Sequence, residues 1–387
     1  MINKLDSDFE VCHFVGLSGV GGVQRNFSEY MKLEIISDNE YRHTIYTLGR
    51  VDDQYQFSTN ILNILELRNL VSLIFDLISK SKIVHFYNNL TSLKVAIFLF
   101  FIPVKKLIVH ERGSAWNLSS KRGFILKFIV WKSDLVLANS MATKALIEKK
   151  FGISKNKIKV IHNGVNTSIR LKKKSLENEK TFFVGFIGRL DTPKGVHILI
   201  SAMHNLKYEN IKLIIAGDGP LKQDLANKAR NLKNIQFIGR VSDPYKFFNT
   251  ISLLVVPSIR EPLGNVCLEA GLYRVPVLAA NVDGLPEIIE NKISGELIDA
   301  TEEISINTVQ GAISLPEFVV NPVKGNLSAP KQINPSILAK RILKLSSQDD
   351  KLKYYSNELN KKVKNKFSID RYRRELHKMY REIDIKG

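Results

Sequence analysis

Twelve short runs rich in Val, Ile, Leu and Phe recur along the chain, separated by stretches with helical spacing of apolar residues. The first six are FEVCHFVGL, YRHTIYTL, SKIVHFYN, VKKLIVHE, DLVLANS and NKIKVIHNG. The second six are TFFVGFIGR, IKLIIAGDG, NIQFIGRV, SLLVVPS, VPVLAAN and ELIDA. Apolar runs of this length have no polar face to offer water. They read as strands buried on both sides, and alternation with helices makes their sheets parallel. Two series predict two doubly wound α/β units. A length of 387 residues suits two domains of ordinary size.

The predicted boundaries follow the change of series. Residues 1–170 form an N-terminal domain and 181–367 a C-terminal one, with 171–180, charged and free of aromatics, as linker. Residues 302–334 follow the second series and read as an insertion. Within this region LPEFVVNPVKGNLS, from Leu315, echoes LPEIIENKISGELI, from Leu285, which suggests a second copy of one loop-and-strand pattern. Two copies are too few for a solenoid. Residues 368–387 place Ile369, Tyr372, Leu376, Met379 and Ile383 at helical spacing, so a basic amphipathic helix is expected there. It is expected to pack back toward the N-terminal domain.

Composition narrows the class. Hydrophobic residues make up 44% of the chain, enough for sizeable cores. The opening MINKLDSDFE has no apolar stretch of the secretory kind, and the longest apolar run, Val95–Val104, is half a membrane span. A cytoplasmic placement is expected, with a peripheral position on the inner face of the membrane as the variant. Cys12 and Cys267 sit apart in apolar runs and read as buried thiols. The formal net charge of +19 calls for an anionic partner or a well-solvated basic surface. Part of it lies in the tail Lys351–Gly387, with 12 Lys and Arg against 5 Asp and Glu. No helix-turn-helix signature, aromatic RNA motif or zinc spacing accompanies it, so nucleic acid is not the expected partner.

Three loops carry the chemistry. GVGGVQRN, 19–26, follows the first strand and opens a helix, where backbone N–H groups approach an anion. It departs from the dinucleotide fingerprint. GRLDTPKG, 188–195, occupies the same place in the second unit and sets Arg189 and Lys194 around a Thr-Pro turn. Ligands of open α/β sheets bind beyond the carboxyl ends of strands. Two cations there fit a diphosphate clamp, Arg through its planar fork and Lys as a point charge. PSIREPLGNVCLEAG, 257–271, spaces Glu261 and Glu269 eight residues apart across a turn that opens a helix. The backbone around Leu263, Gly264 and Asn265 can hold phosphate oxygens, and both carboxylates can accept from sugar hydroxyls. The pairs Asp52-Asp53 and Asp349-Asp350 read as surface, so no metal site is expected.

GGVQR, HNGVNT, GRLDTPKG, AGDGPL and EPLGNVCLE, in this order, resemble the retaining glycosyltransferases of family 4, over nearly the whole chain. The resemblance implies a GT-B fold, two Rossmann-like domains facing a central cleft. It implies a sugar nucleotide such as a UDP- or GDP-sugar as donor and no metal or other cofactor. Arg189 and Lys194 would then hold the diphosphate, Glu269 the ribose and Glu261 the donor sugar, with Gly21 and Gly22 near the phosphates. His110, in VHERGSAWN, matches a histidine beside the transferred sugar; a packed core histidine is the other reading. Glu111 and Arg112 either face the acceptor or pair with each other. Retention without a carboxylate nucleophile implies front-face substitution. The acceptor is expected to be a glycan or a lipid-linked glycan in lipopolysaccharide, O-antigen or capsule synthesis. SSKRGFILKFIVWKS, 119–133, with Phe124, Phe128 and Trp131 on one helical face, is either a buried helix or a contact with anionic membrane. Two features depart from the family pattern: the 302–334 insertion, and Asp283-Gly284 where Gly-Gly is commoner. A sugar-nucleotide epimerase, a glycan phosphorylase and a basic nucleic-acid-binding protein are the competing readings. An epimerase has no need of Gly-Arg-x(4)-Lys-Gly with Glu-x(7)-Glu, and a phosphorylase needs a pyridoxal lysine and is usually much longer.

Overall fold

The structure is a computed structural model that describes residues 10–19, 21–36, 41–168, 181–306 and 309–385. The chain forms two compact units, one of Met1–Asn166 with Phe367–Gly387, the other of Thr167–Lys366. The expected linker 171–180 lies outside the described residues.

The first unit holds β1 (Glu10–Phe14), β2 (Arg42–Thr47), β3 (Ile61–Asn63), β4 (Lys82–Tyr87), β5 (Leu107–Glu111), β6 (Leu135–Ala138) and β7 (Ile158–Val160). They form one sheet in the order β3-β2-β1-β4-β5-β6-β7, parallel throughout. The second unit holds β8 (Phe182–Ile187), β9 (Ile211–Ala216), β10 (Ile235–Gly239), β11 (Leu253–Val256), β12 (Val277–Ala280) and β13 (Glu296–Ile298). Their order is β10-β9-β8-β11-β12-β13, again parallel. Both orders reverse direction once, between β1 and β4 and between β8 and β11. Doubly wound sheets open a crevice at the carboxyl ends of the strands at that reversal. The central strands are buried along their whole length, as in β5, β11 and β12, which is why they read as unbroken apolar runs.

The helix Ile369–Asp384 belongs to the core of the first unit. Tyr372, Leu376, Met379 and Tyr380 are buried among Val11, Phe27, Tyr30, Ile45 and Ile108. Ser368 caps it by accepting from Arg371 N at 3.2 Å. Its entry is stitched to the end of the first series by Ile369 N to Val165 O and Val165 N to Phe367 O, both 2.9 Å. A side chain on Gly164 would put its Cβ 2.7 Å from Ile369 Cα, so only glycine admits the helix there. A buried carboxylate also anchors it: Glu34 accepts from Arg373 Nε at 2.6 Å, His377 Nε2 at 2.8 Å and His43 Nε2 at 3.1 Å. Burial alone raises a carboxyl pKa, but the bonds and charges of His377 and His43 hold Glu34 well below the ordinary range.

Two expectations need revision. β3 was absent from the predicted series; at three residues, and with half-buried side chains, it leaves no periodic trace. The echo between 285 and 315 is not a structural duplication. Leu285–Ile288 is a short helix leading to β13, whereas the later copy gives β14 (Val319–Val320) and β15 (Leu327–Ser328), an antiparallel hairpin. The two copies share a positive-φ glycine at the same offset, Gly295 in the first and Gly325 in the second. The Leu-Pro-Glu that precedes each turn does not carry the same conformation in both.

Candidate active site

β8 ends at Ile187, and Gly188 continues its ladder through N–H to Ala216 O at 3.0 Å. The chain then turns alongside AGDG: Leu190 N donates to Asp218 O at 2.9 Å and Leu221 N to Leu190 O at 3.1 Å. Gly217 and Gly219 permit this approach, since a Cβ on them would fall 1.8 Å from Gly188 O and 2.4 Å from Leu190 O. The glycines of that motif therefore serve backbone packing.

Asp191 caps the turn that follows. Its Oδ1 accepts from Thr192 N at 2.9 Å, and Pro193 fixes the start of the 3-10 turn Thr192–Lys194. Gly195 (φ +66°) releases the chain into the helix Val196–His204. Asp191 Oδ2 stands 2.8 Å from Arg189 Nε, on a side chain that is 58% exposed. Asp191 thus shapes the loop and holds the arginine. Its place before Thr-Pro is a capping signal visible in the sequence.

β11 delivers the second loop across the switch point. Ile259 N donates to Pro193 O at 2.9 Å, and a Cβ on Gly195 would meet Pro257 O at 2.0 Å. The two loops are thus sewn together through backbone. Lys194 Nζ lies 2.6 Å from Glu261 Oε2, and Ser258 Oγ donates to the same oxygen at 3.4 Å. The lysine of one motif and the first glutamate of the other meet directly. Leu263 is buried; Gly264 (φ +101°) leads into the helix Asn265–Leu272, whose N-terminal dipole end favours an anion. Asn265 and Glu269 stand four apart on that helix, on one face, both half-buried. Cys267 beneath is fully buried, and burial pushes its thiol far up, which leaves it unreactive.

The remaining predicted residues lie in the first unit, and each is described there. Gly22 begins the helix Gly22–Ile36, and Gly21 O accepts from Arg25 N at 3.0 Å. Asp52, read from sequence as surface, holds the glycine loop through Gly19 N at 2.7 Å. His110 on β5 is fully buried, stacks on His85 at 5.4 Å, and among the described residues neither of its ring nitrogens has a hydrogen-bond partner. Burial, then Arg112 and His85, hold it well below the usual histidine range, so it is neutral. Glu111 and Arg112 do not pair. Glu111 accepts from Gly113 N at 2.7 Å and Ala115 N at 2.9 Å, capping the next turn. Arg112 Nη2 reaches Asn26 Oδ1 and Asn163 Oδ1, both at 2.8 Å, and Gly22 O at 3.4 Å.

The helix Gly123–Lys132 packs on Leu93–Phe100 and buries Ile125, Leu126 and Ile129 but turns Phe124 and Trp131 outward, the latter 70% exposed. The face reads as neither wholly buried nor polar. Among the described residues no helix is long and apolar enough to cross a membrane, and no group of three or more His, Cys, Asp or Glu is placed to hold a metal ion.

Two family models match the chain. Glycosyltransferase Family 4 covers residues 39–169 and Glycosyl transferases group 1 covers 168–310, together well over half of it. The chain belongs to the family 4 glycosyltransferases. The group 1 match takes in both loops that carry Arg189, Lys194, Glu261 and Glu269. Among relatives, the capsular polysaccharide biosynthesis glycosyltransferase CapM of Staphylococcus aureus is 27% identical over 262 residues, 63% of this chain and 60% of CapM. A Campylobacter jejuni N-acetylgalactosamine-N,N'-diacetylbacillosaminyl-diphospho-undecaprenol 4-alpha-N-acetylgalactosaminyltransferase is 28% identical over 205 residues, 51% of this chain and 55% of that protein. The chain thus spans 60% or less of the length of these two relatives. The crystal structure of Anabaena Alr3699/HepE in complex with UDP and glucose superposes with a TM-score of 0.72 at 18% identity, over 96% of this chain and 99% of that one. That likeness gives the family member its GT-B fold.

Proposed function

We propose that the protein is a nucleotide-sugar-dependent retaining glycosyltransferase that moves a hexose-type sugar to a glycan or lipid-linked acceptor. The observation that carries this reading is the meeting of Lys194 and Glu261 at 2.6 Å, at the carboxyl ends of the switch-point strands and before the Asn265–Leu272 helix. Arg189 and Lys194 are fixed cations aimed where charge develops as a nucleoside diphosphate departs, and such groups need no reorganisation during the reaction. With them in place the leaving group needs no metal. Glu269 bonds the ribose and Glu261 the donor sugar, and the backbone at Leu263, Gly264 and Asn265 approaches the phosphates. The acceptor hydroxyl oxygen attacks the anomeric carbon, the bond to the phosphate oxygen breaks on the same face, and that oxygen takes the acceptor proton.

The bound UDP and glucose of the Anabaena protein support a UDP-sugar as donor class. The names of the S. aureus and Campylobacter relatives support a role in bacterial surface polysaccharide, on lipid-linked acceptors. A cytoplasmic site, peripheral on the inner membrane face, fits the exposed aromatic face and the charge of +19. The experiment is a screen of purified protein against UDP-, GDP-, ADP- and CMP-sugars by thermal shift and donor hydrolysis, with EDTA throughout. One nucleotide is expected to stabilise the wild type and neither Lys194→Ala nor Glu269→Ala. Inversion at the anomeric carbon of the product would overturn the proposed mechanism.

A further inference from the structure

The insertion is a closed excursion. Its ends pair as Glu302 N to Gln332 O at 3.0 Å and Gln332 N to Glu302 O at 2.9 Å. Gln332 Oε1 also meets His197 Nε2 at 3.0 Å, which pins the base to the helix behind the Lys194 turn. From this base the excursion reaches both site loops. Ile313 N donates to Asp191 Oδ1 at 2.7 Å. Val320 N, on β14, donates to Asp283 Oδ1 at 2.7 Å, and Asp283 N returns a bond to Val320 O at 3.1 Å.

Asp283 is the hinge of the second contact. Its other oxygen, Oδ2, accepts from Glu261 N at 2.9 Å, so one fully buried carboxylate joins the hairpin to the main chain of the glutamate that meets Lys194. Gly284 N donates to Glu261 O at 3.1 Å, which fixes the carbonyl as well. Both amide bonds of that glutamate are therefore set from the 283–284 segment. Asp283 holds a positive φ of +46°, a conformation glycine adopts without strain and aspartate tolerates. An Asp there gives up glycine's ease and gains a carboxylate with two amides to bind. Asp191 plays the matching part on the first loop, with Ile313 N and Thr192 N on one oxygen and Arg189 beside the other.

We propose that the 302–334 insertion is a strap of the donor site, in which Asp283 is a positioning residue that sets Glu261 and thereby the fit of the donor sugar. The proposal rests on the donor-site reading above and deepens it. The diphosphate is held by Arg189, Lys194 and the helix N-terminus, whereas the sugar is held by Glu261. Slackening the strap at Asp283 therefore weakens selection of the sugar more than binding of the nucleoside diphosphate.

Asp283→Asn keeps the shape and removes one acceptor, and replacing residues 318–329 by a short Gly-Ser turn removes the hairpin altogether. Hydrogen exchange reports the strap without any assay of activity. The Glu261 amide is expected to exchange at least about tenfold faster in both variants, with circular dichroism and cooperative unfolding retained. The donor KM, measured with the nucleotide sugar that the wild type accepts, is expected to rise about tenfold, with the Kd for the matching nucleoside diphosphate within about twofold of wild type. Unchanged exchange at Glu261 overturns the strap. Faster exchange with sugar nucleotide and nucleoside diphosphate weakened equally overturns the role in sugar fit. If the wild type takes no sugar nucleotide at all, the donor-site reading fails, and the exchange experiment still decides the strap.

Discussion

Lys194 and Glu34 carry opposite lessons about a buried or half-buried charge. Lys194 is held by a single carboxylate at 2.6 Å and remains 31% exposed, so it is placed yet open to an anion. Lys194→Ala is expected to lower kcat by about 10²–10³-fold, the loss typical of one preorganised group that meets transition-state charge. Steady-state kinetics with a saturating donor check this, and a loss confined to KM would count against a transition-state role. Glu34 is closed off by Arg373, His377 and His43. Glu34→Gln is expected to cost about 3 kcal/mol, because it leaves buried donors without their charge partner. The pH sign follows from a folded pKa held below the unfolded one. Stability from Glu34 is fully present above the unfolded value of about 4.3 and fades as pH falls through the folded value. Urea titrations of both proteins should therefore differ fully at pH 7, with the difference starting to shrink only below about pH 4.

At the scale of elements, both sheets were legible because strands buried on two faces leave no polar register to confuse the reading. The cation motif and the glutamate motif were legible for a related reason: each follows a strand end, where the chain leaves the sheet. What the sequence concealed acts through backbone. Asp52 and Asp283 hold loops by accepting from main-chain N–H groups, and nothing in residue type separates such a carboxylate from a surface one; Asp191 does the same and is marked only by its place before Thr-Pro. The echo at 315 misled because turn chemistry repeats more readily than the elements flanking it. The helix Gly123–Lys132 adds an element-scale prediction. Phe128 bridges Phe100 at 6.1 Å and Trp131 at 5.8 Å, joining this helix to Leu93–Phe100 in one outward aromatic strip. Lys94, Lys121, Arg122 and Lys127 are exposed beside it, and Glu111, the one acid between 93 and 133, is buried. Sedimentation with anionic liposomes at low salt should bring down the wild type. Phe124→Ser with Trp131→Ser should release it, since each ring contributes about 1.5–3 kcal/mol on burial. No sedimentation of the wild type would remove the membrane from the account.

Across the whole molecule, the two units repeat one strand order but differ in how the chain completes them. The second unit is continuous, whereas the first takes its closing helix from beyond the second. Four buried side chains of that helix, Tyr372, Leu376, Met379 and Tyr380, contribute about 8 kcal/mol by their apolar area, comparable with the entire stability of a domain. A chain ended at Lys366 is therefore expected to keep one calorimetric transition, that of the second unit, and to lose the other. Two transitions surviving the truncation would show the helix to be an accessory.

The same discontinuity has a temporal side. His85 meets Tyr380 at 2.8 Å across 295 positions of sequence. At bacterial and eukaryotic elongation rates, those positions take roughly 15–60 s to synthesise. Until the end of that interval the first-born sheet lacks the cover of Tyr372, Leu376, Met379 and Tyr380, while the later-born unit is already synthesised. Birth order and completion order are reversed, and the half-finished sheet is the species that a chaperone would meet.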